Sequence, residues 1–60
     1  MTPAKLLIAQ RLEEVAREQA SIAALAGEFA GDHQWAENMA ELDRGREFAE
    51  WWAAKIRSEP

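Results

Sequence analysis

Few side chains in this sequence have the type and spacing for chemistry. His33 is the only histidine, and imidazole is the side chain whose ordinary pKa lies nearest neutral pH. It follows Asp32, and Glu37 stands four residues further on. On a helix His33 and Glu37 share a face, an arrangement that can hold a divalent cation. A dedicated metal site needs about three or four protein ligands, so His33 is read as an exposed first-turn histidine.

Glu37 and Glu41 lie four apart, as do Glu14 and Glu18. Carboxylates so spaced bind metals in helical bundles, where Glu-x-x-His motifs on facing helices complete the site. The sequence has no Glu-x-x-His, and these acids are read as solvated faces. Ser21 and Ser58 are the only serines, and neither has a base nearby in sequence. There is no glycine-rich phosphate loop, no nucleophile elbow and no cysteine to pair with His33. The chain is therefore expected to be non-enzymatic, with no catalytic residue, no cofactor and no metal.

The elements that carry these residues are helical. Ala, Glu, Leu and Arg dominate, and all are strong helix formers. There are three Gly, two Pro and a single threonine, Thr2, in 60 residues. That length allows one domain. Thr2-Pro3 reads as an N-cap followed by proline at the first helical position. Gly31 suits a left-handed helix stop and Asp32 the N-cap of a second helix. Gly27 is a competing stop. The expectation is an all-α antiparallel helical hairpin: helix 1 over about 3–30, a turn near Gly31-Asp32, helix 2 over about 33–57 and a frayed tail at 58–60.

On helix 1, Ile8, Leu12, Val15, Ile22, Ala26 and Phe29 recur at heptad spacing, with Gln19 filling the one gap. They are assigned as the helix-pairing seam, opposite Met39, Leu42, Ala49 and Ile56 of helix 2. Ala9, Ala16, Ala23 and Ala30 follow each other at seven-residue steps beside that seam. Small residues there would let a neighbouring helix come close. Arg11 and Glu18 flank the seam on the other side, placed to set register across an interface. Glu13 with Arg17, and Glu41 with Arg44, are expected surface pairs.

Helix 2 carries more apolar surface than one partner helix needs. An arc from Met39 through Leu42 and Trp52 to Trp51 exceeds the stripe of roughly 100° that a single neighbour covers. Phe48, Trp51 and Trp52, with Lys55, Trp35 and Gly45, form the expected interaction patch. Exposed aromatics of this kind mark interfaces. Gly45 is unfavourable inside a helix by about 1 kcal/mol relative to Ala. It points either to close packing or to a kink.

A chain this short rarely gains more than about 3–5 kcal/mol from its own core. With no cysteine, disulfides are excluded, which leaves oligomerisation or very good helix packing as the route to stability. The expected assembly is a homodimer that forms a four-helix bundle. In length, central turn and paired heptads the chain resembles the Rop-type plasmid copy-number regulators, dimers of helical hairpins that bind paired RNA loops. The resemblance is architectural and implies the dimer. Lys5, Arg11 and Arg17 do not share one face, so RNA binding does not carry over.

The functional expectation is a small homo-oligomeric adaptor or regulator that binds protein, with a protein partner at the C-terminal aromatic patch. An alternative is a small inhibitor encoded by a phage or mobile element, anti-CRISPR-like by type, aimed at a host defence or regulatory protein. A third is a Rop-like nucleic-acid-binding dimer using Arg44, Arg46 and Arg57. The formal net charge of −4 argues against nucleic acid. No stretch approaches the roughly 18 apolar residues of a membrane span. The apolar run Leu6–Ala9 is too short for a signal peptide. Cytoplasmic residence is the expectation.

Overall fold

A computed structural model describes all 60 residues. Two α-helices, α1 (Pro3–Ala26) and α2 (His33–Arg57), are joined by a 3₁₀ turn at Gly27–Phe29. They pack against each other as a hairpin of 45 × 14 × 12 Å. Both starts are capped by the residues the sequence points to. The Thr2 hydroxyl accepts the Lys5 backbone N–H at 3.2 Å. One Asp32 carboxylate oxygen accepts from the N–H groups of Gln34 and Trp35 at 2.9 and 3.2 Å. These bonds satisfy donors that a helix start would otherwise leave unpaired.

The end of α1 differs from the expectation. The α-helix stops at Ala26, four residues short of residue 30, and Gly27 takes the C-cap position in right-handed helical conformation. Gly31 is not left-handed either, since no glycine has positive φ. The chain tightens instead of reversing its hand. Ala30 N–H donates to the Gly27 carbonyl and Asp32 N–H to the Phe29 carbonyl, at 3.2 and 2.9 Å. Such short-range bonds satisfy orphan carbonyls as a left-handed cap would. They leave Phe29 stacked on Trp35, with ring centroids 4.9 Å apart.

The tail is tied back. Ser58 donates its hydroxyl to the Lys55 carbonyl at 2.8 Å. Lys5 Nζ donates to the Glu59 carboxylate at 2.8 Å. Residues 58–60 lie beyond the end of α2, and these contacts hold them against the start of α1.

Six residues are buried: Ala9, Ala16, Ala26, Ala49, Ala53 and Ile56. Five of the six are alanines. On α1 the seam residues withdrawn from solvent are Ala9, Leu12, Ala16, Gln19, Ala23 and Ala26, flanked by the half-buried Glu13. Their steps of three and four define a heptad seam. Leu12, Gln19 and Ala26 belong to the seam read from sequence, and its other positions are taken by alanines. Ile8, Val15, Ile22 and Phe29 are instead 44–53% exposed. The helices meet along the alanine flank, so the larger side chains are turned to one side. On α2, Met39, Leu42, Gly45 and Arg46 are half-buried, and Ala49, Ala53 and Ile56 are buried.

Gly45 explains part of this choice. A Cβ there would stand 2.8 Å from Nε2 of Gln19. Helix α2 is unbroken through Gly45, and the glycine serves close packing. The missing side chain makes room for the Gln19 amide. The carbonyl oxygen of that amide is buried without a hydrogen-bond partner.

Candidate interaction surface

The two edges of the hairpin differ: an ion pair joins the helices on one, and large apolar side chains stand on the other. Arg57 donates from Nε and Nη2 to both carboxylate oxygens of Glu13, at 2.6 and 2.8 Å. Bidentate pairs of this kind are the stronger charge-assisted contacts. This hydrogen bond and the positive charge hold the Glu13 carboxyl below its ordinary pKa, against the opposing effect of partial burial. Glu13 is thereby engaged across the hairpin, in place of the expected pairing with Arg17. Arg46 lies near Asp43 and Glu50, at 3.8 and 3.2 Å on its own helix. Arg44 pairs with Glu41 as the spacing suggests.

The other edge is apolar. At about 100° per residue, Ile8, Val15, Ile22 and Phe29 lie across the alanine seam from Glu13. By the same geometry, Phe48 and Trp52 lie across the α2 seam from Arg57. In antiparallel helices these two flanks fall on one side of the hairpin. A shallow hollow of about 190 Å³ crosses from one helix to the other, lined by Ile22, Ala26, Trp35, Asn38, Met39 and Leu42.

Towards the open end of the hairpin, α2 carries a stacked aromatic group. Phe48 sits 5.9 Å from both Trp51 and Trp52, measured between ring centroids. Lys55 Nζ lies 5.1 Å above the Trp51 ring, within reach of a cation–π attraction. Phe48, Trp51 and Trp52 are 58%, 56% and 42% exposed. The residues singled out from sequence thus divide three ways. Phe48, Trp51, Trp52 and Lys55 are gathered together. Trp35 lies at the turn end against Phe29, some 20 Å along the helix from Phe48. Gly45 faces Gln19 inside the hairpin.

The chemistry-bearing residues stay apart. His33 Nε2 is 3.1 Å from a Glu37 oxygen, and the imidazole is 90% exposed. No group of three His, Asp or Glu side chains could share a metal ion. No helix is long and apolar enough to cross a membrane. The sequence signal for the apolar edge was present in the seven-residue steps Ile8, Val15, Ile22 and Phe29. Reading those residues together with Leu12 and Gln19 as one seam concealed it. No family model, curated protein or solved structure matches the chain.

Proposed function

We propose that this protein is a small non-enzymatic interaction module, a helical adaptor or regulator that associates with further helices, its own copy first. The observation that carries this reading is the imbalance between what is buried and what is not. Alanine methyls fill most of the buried seam, each worth about 0.8 kcal/mol on burial, against about 1.5–3 for a large aliphatic or aromatic side chain. Ile8, Val15, Ile22, Phe48 and Trp52 stand half in water on one edge. A contiguous apolar face of that kind on a soluble chain marks an association site. Covering it would supply the stability that a hairpin of this size lacks.

Sedimentation equilibrium at micromolar concentration tests the reading. The expected result is a homo-oligomer, with a dimer favoured, that Phe48→Ala and Trp52→Ala each weaken. A folded and stable monomer across that range would sink it.

A further inference from the structure

Resting on that self-association, we infer that the partner on the apolar edge is a second copy laid face to face, α1 on α1 and α2 on α2, both antiparallel. The two-fold axis runs perpendicular to the helices at the level of Val15.

The placement follows from charge and register. Arg11 and Glu18 lie on the outer side of the Ile8–Val15–Ile22 stripe, one near each end of its middle stretch. Antiparallel pairing about Val15 sets Ile8 against Ile22 of the copy and Val15 against itself. The same pairing brings Arg11 opposite Glu18 of the copy, twice by symmetry. Parallel pairing would set Arg11 on Arg11 and Glu18 on Glu18, both repulsive. The Arg11 guanidinium is free to turn. Its present bond to Glu14 is 3.3 Å long between side chains that are 71% and 53% exposed, a contact of little worth.

The second helix agrees with the first. Lys5 with Glu59, Gln19 with Gly45, and Phe29 with Trp35 fix the hairpin register. In that register Val15 is level with Ala49. Phe48 and Trp52 each lie within one helical turn of this level. One axis therefore centres the aliphatic stripe of α1 and brings the rings of two α2 helices together at its other end.

Cysteine cross-linking tests this cleanly, because the sequence has no cysteine of its own. A disulfide needs Cα atoms within about 7 Å. Val15→Cys should link to itself on oxidation. Ile8→Cys alone should not, since its two copies would be roughly 20 Å apart. A mixture of Ile8→Cys and Ile22→Cys chains should link to each other. Helicity by circular dichroism checks that each variant is folded.

Charge reversal gives an independent reading in the unlinked protein. Arg11→Glu should raise the dimer Kd by about tenfold, and Arg11→Glu with Glu18→Arg should restore it. Efficient self-linking of Ile8→Cys overturns the antiparallel arrangement. So does a dimer in which Val15→Cys fails to link, or one in which the double reversal fails to restore affinity; each leaves self-association standing. A wild-type monomer overturns both.

Discussion

The Gln19 amide lies where a side chain on Gly45 would begin, with Nε2 2.8 Å from that Cβ position. Two unfavourable choices meet there, a glycine inside a helix and an amide whose oxygen is buried unpaired. Each makes the other tolerable. Gly45→Ala should leave stability within about 0.5 kcal/mol of wild type, because the gain in helix propensity is offset by displacing Gln19. In a Gln19→Ala background the same substitution should stabilise by up to about 1 kcal/mol. Urea denaturation of the four chains closes the cycle, and equal effects in both backgrounds would dismiss the coupling.

Gln19→Leu isolates the other half of that relationship. It removes a buried oxygen that has no partner, and an unsatisfied group costs about 1–3 kcal/mol. Thermal unfolding should move upward. A fall in melting temperature would mean that the branched side chain fits the space beside Gly45 less well than the amide does.

The alanine seam should resist enlargement. Ala16→Leu places a large side chain where two backbones approach closely, and should destabilise by about 1–3 kcal/mol. Ala24→Leu, on the exposed side of α1, should change stability by less than about 0.5 kcal/mol. Chemical denaturation compares the two. Equal tolerance at both positions would contradict close packing of the seam.

Acid should loosen the hairpin in a defined window. The Glu13 and Glu59 carboxyls are held below the ordinary value of 4.5 chiefly by hydrogen bonds from Arg57 and Lys5. Between the lowered and ordinary values the unfolded chain binds more protons than the folded one, so stability rises with pH there. The contribution of both pairs is complete above about pH 4.5 and drains away as pH falls through the lowered values. Glu13→Gln should flatten the acid limb of a stability-against-pH curve. Added salt should flatten it too, because both pairs are solvent-exposed.

If the apolar edge is covered by another copy, folding and association are linked. The melting temperature should then rise by several degrees for each tenfold rise in chain concentration. Val15→Asp should abolish that dependence. A melting point independent of concentration would separate the hairpin's stability from assembly.

Much of this fold is legible residue by residue. Thr2-Pro3 and Asp32 announce two helix starts, and both caps form as their chemistry requires. The stop of α1 was less legible, because Gly27 and Gly31 are both suitable breakers and neither adopts the left-handed conformation that would single it out. The aromatic group at Phe48, Trp51 and Trp52 is visible in sequence because its spacing lies within one and a half helical turns. The stacking of Phe29 on Trp35 joins residues on either side of the turn, and only the path of the turn brings them together.

The sequence by itself determines that there are two helices, that they fold back on each other, and that α2 carries excess apolar surface. Local propensity, capping and the 3.6-residue repeat are properties of each segment alone. Which stripe of α1 meets α2 is decided only by the tertiary structure. The stripe Ile8, Val15, Ile22 and the stripe Ala9, Ala16, Ala23 share the same seven-residue period and lie about 100° apart, so periodicity cannot rank them. The choice rests on how closely two backbones approach. Gly45, Ala49 and Ala53 on α2 allow the close approach, the alanines of α1 fill it, and Ile8, Val15, Ile22 and Phe29 are left facing outward.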